Sequence, residues 1–245
     1  MTPSTACLNL LRLVKLDVYR TPPHLRGMMQ TLTGPTVLPA AGRTPRHLII
    51  LVHGYGSNGD DLISLVPHWQ SALPDAVFIA PHAPERCPGA PGGYQWWPLI
   101  TRSLEERAVG VRQAAPVLHK FIDEQLARYD LKEEQLALVG FSQGTMMALQ
   151  VGPQRERQIA GIVGYSGMIA DPGGLADGLL TKPPVLLIHG DADDVLPIAV
   201  FRQAKEALTQ LGFPLKTHVS PGLGHGVDDD GLKLGREFLS LALGV

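Results

Sequence analysis

The 245-residue chain has only two cysteines, Cys7 and Cys87, far apart and in neither a C-x-x-C nor a zinc-type spacing. That scarcity excludes a disulfide framework and makes a reducing cytoplasm the expected compartment. No run of lysine and arginine occurs and the formal net charge is only −2, so nothing points to a nucleic-acid partner. No apolar run is long enough to span a bilayer. Leu8–Leu16 is short, interrupted by Arg12 and Lys15, and lacks the basic flank of a signal peptide, so no stable membrane insertion is expected. Residues 1–27 read as an extension, with Met28 or Met29 able to serve as a start; a mis-assigned start and a genuine appended helix both remain open. Linkers, repeats and low-complexity segments are missing from the rest. With 44% hydrophobic and 18% charged residues, residues 28–245 are expected to form one soluble globular domain with a substantial core.

Within that domain, short apolar runs alternate with longer amphipathic ones. Leu48–Val52, Ala76–Ala80, Leu136–Val139, Ala160–Gly164 and Val185–Ile188 read as buried strands, and Leu215–Val219 as a weaker last strand. Asp60–Ser71, Leu104–Tyr129, Gln143–Val151, Ile198–Leu211 and Asp228–Leu243 read as helices, the first capped by Asp60, the fourth with Pro197 at its first turn. Continuously apolar strands between helices predict a mostly parallel sheet covered on both faces, the α/β class. The exception is His82–Pro98, long and rich in proline and glycine, with Tyr94, Trp96 and Trp97 near its end. Two tryptophans argue against disorder there; anchoring the loop and lining a ligand site are equally open readings.

The densest signal is Gly140-Phe-Ser-Gln-Gly144, set between a strand-like run and a helix-like run. G-x-S-x-G in that context forms a sharp turn that exposes a nucleophilic serine at the top of a sheet, with glycine wherever backbone must pass closely. An activated serine needs a base, a group that orients the base, and donors for an oxyanion. On such sheets the acid and then the histidine follow the serine in the chain. Here Ser142 is followed by His189-Gly-Asp-Ala-Asp-Asp194 after one strand and by Pro221-Gly-Leu-Gly-His-Gly226 after the last. Both lie at strand carboxyl ends, where open parallel sheets bind ligands. His225, among glycines, has no obvious packing role and is the candidate general base; His53 and His189 precede the position the order requires and are expected to brace their own loops. Asp191, Asp193 and Asp194 share one loop, and spacing does not choose between them. The N–H of Gln143, next after the serine, is one expected oxyanion donor; the second should come from the glycine-rich Val52–Gly59 loop.

Two other matches carry less. Gly164-Tyr-Ser-Gly167 repeats part of the serine motif, but Met168 replaces its final glycine, and it reads as a strand-to-loop turn. The Gly54–Gly59 loop lacks both G-K-[ST] and G-x-G-x-x-G, so nucleotide binding is unsupported.

The combination His53-Gly-x-Gly-x-x-Gly-x-Asp-Leu62, Trp96-Trp-Pro98, Gly-Phe-Ser-Gln-Gly144, His189-Gly-Asp-x-Asp with Val195-x-Pro197, and Gly224-His-Gly226 resembles the phospholipase/carboxylesterase family of α/β hydrolases, over residues 29–245. The family includes acyl-protein thioesterases and small bacterial esterases. The resemblance implies the α/β-hydrolase fold and a serine hydrolase cleaving carboxylic esters. It places the nucleophile on Ser142, the base on His225 and the acid on Asp193. It further implies oxyanion donors at Tyr55 and Gln143 and an aromatic wall of the substrate entrance at Trp96. Asp194 stands where many members carry another residue, often proline. No metal or organic cofactor is implied; the partner is a small-molecule ester, and a homodimer is expected by the same resemblance. Acyl-protein thioesterase or lysophospholipase activity is the near alternative. A non-catalytic binding protein on the same fold is the alternative of another class, and its signature, a missing triad residue, is not found.

Overall fold

A computed structural model describes residues 31–245. The extension expected over residues 1–27, with Met28 and Met29, lies outside the described residues. The predicted strands appear as β2 (His47–Val52), β3 (Ala76–Ile79), β6 (Leu136–Phe141), β7 (Gly161–Tyr165), β8 (Val185–Gly190) and β9 (Leu215–Ser220). With β1 (Thr36–Val37) they form a seven-stranded sheet in the order β1-β3-β2-β6-β7-β8-β9. Only the β1–β3 pair is antiparallel. β9 is an edge strand, which explains its weak apolar signal: most of its residues are only partly buried or exposed.

The two faces of the sheet feed two cores. Leu48, Ile50 and Val52 point into one with Leu136, Leu138, Ile162 and Leu187; Ile49, Leu51, Ala137, Val139, Val163 and Ile188 point into the other. This is the alternation of a strand, apolar at both parities because both faces are covered. The first core is closed by α2 (Leu104–Tyr129), α3 (Gln143–Val151) and α5 (Ile198–Gln210). The second is closed by α6 (Asp229–Leu243), through Leu232, Phe238, Leu239 and Leu243, and by Trp69, whose indole N–H donates to the Leu232 carbonyl at 3.0 Å. Asp228 caps α6, accepting from the Gly231 N–H at 2.8 Å.

The helix predicted over Asp60–Ser71 is shorter. It ends as α1 (Gly59–Ile63), with a 3₁₀ turn following at Val66–His68. Pro67 has no N–H to return to the Ile63 carbonyl, so the α-helical ladder stops there. Its cap is Asn58, which accepts from the Asp61 N–H at 3.0 Å, two residues ahead of the Asp60 expected from sequence. A short α4 (Pro172–Asp177) was not foreseen. The His82–Pro98 loop contains a small antiparallel pair, β4 (Glu85–Arg86) with β5 (Tyr94–Gln95). Trp97 is buried against α2 at Gly110, where a Cβ would lie 2.2 Å from the indole ring. Glycine in mid-helix is unfavourable alone, and this close approach accounts for it. Among the described residues no helix is long and apolar enough to cross a membrane.

Candidate active site

The sheet order changes direction at β2. The chain runs from β2 to β3 on one side and later enters β6 on the other, so the carboxyl ends of β2 and β6 flank a crevice. Ser142 sits there, half-buried, between the end of β6 and the start of α3. Its backbone is left-handed, φ 53° and ψ −114°, a conformation rare for a residue with a side chain. The glycines of the motif make that turn sterically feasible. A Cβ on Gly144 would come 1.8 Å from the Val52 carbonyl oxygen, and one on Gly140 would come 2.5 Å from backbone of the next turn. The Ser142 N–H is tied to the Tyr165 carbonyl at 2.9 Å.

His225 lies in the loop between β9 and α6. Its ring packs on that of Phe141, the residue before the serine, with centroids 5.0 Å apart. Its Nδ1 is 2.7 Å from Asp193 Oδ2. The carboxylate can only accept, so Nδ1 carries the proton and Nε2 keeps its lone pair. Asp193 is fully buried at its side chain, and its other oxygen accepts from the Val195 and Leu196 N–H groups at 2.9 and 2.8 Å. Among three aspartates that spacing left equivalent, the fold brings Asp193 to His225. Asp191 instead takes the Gly222 N–H at 2.6 Å, and Asp194 is exposed.

The other two strand-end histidines are held within their own loops, although His189 Nε2 also lies 3.4 Å from Asp193 Oδ2 and its Nδ1 has no hydrogen-bond partner. His189 donates from Nε2 to the Leu196 carbonyl at 2.8 Å, within the acid turn. His53 accepts at Nε2 from the Ala83 N–H at 2.9 Å, which leaves Nδ1–H to donate to the Gly54 carbonyl at 2.7 Å. Burial, chiefly, holds the His53 pKa down at about 4.

Tyr55 and Gln143 flank the serine. A Cβ on Gly54 would lie 3.2 Å from Ser142 Cβ, so the loop after β2 passes directly over the serine turn and carries the Tyr55 N–H with it. Gln143 opens α3, where first-turn N–H groups have no helical carbonyl to bond and the helix dipole is positive. The Tyr55 ring is exposed at the rim, and its hydroxyl hydrogen-bonds Cys87, which raises its pKa.

The Gln143 side chain has a second task not visible in the motif. Its Oε1 accepts from the Trp96 N–H and its Nε2 donates to the Trp97 carbonyl, both at 2.9 Å. The Trp96 indole N–H in turn donates to the His53 carbonyl at 3.0 Å, and the ring is buried. Gly56 and Tyr94 complete the clamp: the Gly56 N–H bonds the Tyr94 carbonyl at 2.9 Å and the Tyr94 N–H bonds the Ser57 carbonyl at 2.7 Å. The long aromatic loop is therefore fastened to the glycine-rich loop on one side and to the serine turn on the other. A tryptophan pair followed by proline was the only sequence signal for this, and it gave no partner.

Comparison with known proteins agrees with this fold. The family described as Phospholipase/Carboxylesterase matches residues 35–243. Acyl-protein thioesterase 1 of Gibberella zeae is 28% identical over 230 residues, covering 84% of this chain and 94% of its own. Esterase YpfH of Escherichia coli is 24% identical over 203 residues, covering 83% and 86%. The crystal structure of esterase PE8 superposes with a TM-score of 0.84 at 41% identity, over 87% of this chain and all of that one. The chain belongs to the phospholipase/carboxylesterase family of α/β hydrolases.

Proposed function

We propose that this enzyme hydrolyses carboxylic esters through an acyl-serine intermediate on Ser142. As the Ser142 oxygen attacks the carbonyl carbon, His225 Nε2 takes its proton. The N–H groups of Tyr55 and Gln143 hold the oxyanion, an arrangement whose loss costs on the order of a hundredfold in turnover. Collapse expels the alcohol, protonated by His225, and leaves the acyl-enzyme. Water then attacks with His225 again as base, releasing the acid and restoring the serine. Asp193 keeps the imidazole in the tautomer that both steps need. The resemblance assigns Trp96 to the wall of the substrate entrance, while its buried ring, bonded to the His53 carbonyl, anchors the glycine-rich loop.

The observation that carries the reading is the 2.7 Å bond from His225 to a buried Asp193, with the imidazole packed on the residue that leads into a strained, half-buried serine. Stopped-flow hydrolysis of p-nitrophenyl esters should show a burst of p-nitrophenol matching the enzyme concentration. Ser142→Ala should abolish both burst and turnover, and a fully active variant refutes the assignment.

A second reading, thioester or lysophospholipid hydrolysis, is favoured by the relatives, among them the acyl-protein thioesterase of Gibberella zeae and a family that includes phospholipases. A rate panel of short and long acyl esters, a thioester and a lysophospholipid separates the readings: rates that fall steadily beyond short chains exclude the lipid-directed ones. The same proposal takes residues 28–245 as the catalytic domain, places it in the cytoplasm, where the buried Cys87 stays a free thiol, and expects a homodimer.

A further inference from the structure

The segment Gly164-Tyr-Ser-Gly167, read from sequence as a turn, contains a second serine in a left-handed conformation. Ser166 has φ 45° and is completely buried. Glycine would occupy that backbone without strain, so the side chain calls for a reason. Its hydroxyl donates to the Gly226 carbonyl at 3.0 Å, on the residue after His225, while its N–H bonds the Ile188 carbonyl on β8 at 2.9 Å.

The His225 loop needs such an anchor. Gly222, Gly224 and Gly226 surround the histidine, and positions 222 and 224 have nothing within 4 Å of where a Cβ would stand. These two glycines add no side-chain packing of their own, so polar tethers act beside the contact of the His225 ring with Phe141. Before the histidine these are the Gly222 N–H on Asp191 at 2.6 Å and the Leu223 carbonyl, which accepts from Ala192 at 3.0 Å. After it, the tether is Ser166.

One residue back, the Tyr165 carbonyl accepts from the Ser142 N–H at 2.9 Å and from the Thr145 hydroxyl at 2.8 Å. The Tyr165 hydroxyl donates to the Gly231 carbonyl at 3.0 Å, in the first turn of α6 beyond the histidine loop. Two consecutive residues at the end of β7 thus touch the serine turn and the histidine loop together. We propose that Ser166 is a positioning residue for the hydrolysis: its hydroxyl holds the Gly226 carbonyl, and through it the His225 imidazole, in fixed relation to the Ser142 turn that the adjoining Tyr165 carbonyl secures. The inference rests on the reading of Ser142 and His225 as nucleophile and base; Ser166 itself does not touch substrate.

The test compares wild type, Ser166→Ala and Ser166→Gly by p-nitrophenyl acetate kinetics, thermal unfolding and the low-field proton resonance of the Asp193–His225 bond. Displacing a catalytic group by a fraction of an ångström to an ångström costs up to about a hundredfold. The expected result is a kcat lowered by about ten- to a hundredfold with KM within about twofold. The low-field resonance should broaden or vanish through faster exchange, and the Ser166→Gly enzyme should unfold no earlier than wild type. Should Ser166→Ala fail to fold, Ser166→Gly carries the test, because glycine relieves the left-handed strain. A folded glycine variant with wild-type kcat overturns the proposal, and so does a loss of kcat with the resonance intact. The resonance needs no substrate, so it still reports the tether if wild type proves inactive on esters, and the two failures are distinguished.

Discussion

His53 makes this fold sensitive to acid in a way that can be measured without substrate. The imidazole has no exposed surface, accepts from the Ala83 N–H and donates to the Gly54 carbonyl. Burial is the main force holding its pKa at about 4. The Gly54 bond and Asp61 oppose that force, while His82 adds to it. In the unfolded chain the same ring titrates near 6.5. The unfolded state therefore takes up its proton first, and stability falls as pH drops from the unfolded value toward the folded one. The gap between 6.5 and about 4 corresponds to about 3 kcal/mol when complete. By linkage about 2 kcal/mol of it should be gone at pH 4.5 relative to pH 7. Other groups titrate over the same range, so the quantity to read is a difference. Urea unfolding of wild type and His53→Gln, followed by tryptophan fluorescence at several pH values from 7 to 4, isolates it. Wild type should lose about 2 kcal/mol more than the variant between pH 7 and pH 4.5, although the variant starts less stable at pH 7. Parallel pH dependences would refute the argument, because they would mean that the ring does not stay neutral through burial.

The acid loop offers a discriminating pair. Asp193→Asn leaves the volume of the side chain but removes the carboxylate that fixes the His225 tautomer, and kcat should fall by on the order of 10³- to 10⁴-fold. Asp194→Asn, at an exposed side chain, should stay within about threefold of wild type; steady-state ester kinetics read both, and the reverse ranking would move the acid to Asp194. Gln143→Ala keeps its backbone N–H but strips the Trp96 N–H and the Trp97 carbonyl of their buried partner. It should cost about 1–3 kcal/mol in urea unfolding and lower kcat by loosening the glycine-rich loop; unchanged stability would show that the clamp is not made in solution.

The sequence disclosed those parts of the fold whose cause is local. A strand covered on both faces must be apolar at every position, and β2, β3, β6, β7 and β8 all lie within one or two residues of the predicted runs. The 26-residue α2 was legible for a similar reason: Ser103 caps it, accepting from the Glu106 N–H at 3.1 Å, and Asp130 closes it in a left-handed conformation. What escaped were features decided by a distant partner. Thr36–Val37 is a strand only because β3 offers it an edge, and Glu85–Arg86 only because Tyr94–Gln95 returns beside it. Spacing left the choice among three aspartates open for the same reason, and the family resemblance alone pointed to Asp193. Asp193 is singled out by the direction in which its turn faces a histidine 32 residues further on, and no spacing rule encodes that.

The two serine turns show how far a local pattern reaches. Phe141 and Tyr165 are paired across β6 and β7, so Ser142 and Ser166 emerge from adjacent strands at the same level, both left-handed, at φ 53° and 45°. The positive φ alone does not separate them. The difference lies in what comes next. After Ser142, α3 begins at once, with Gln143 supplying a first-turn N–H and a positive helix end beside the hydroxyl. After Ser166, Gly167 packs on Thr145 and no helix starts until Pro172, so no helix N-terminus directly follows that hydroxyl; it is spent on the Gly226 carbonyl instead. The final glycine that Met168 replaces is thus a marker for the immediate helix as much as for the turn. A strained serine can attack only where donors stand ready for the charge it creates, and otherwise its hydroxyl is free to position a neighbour.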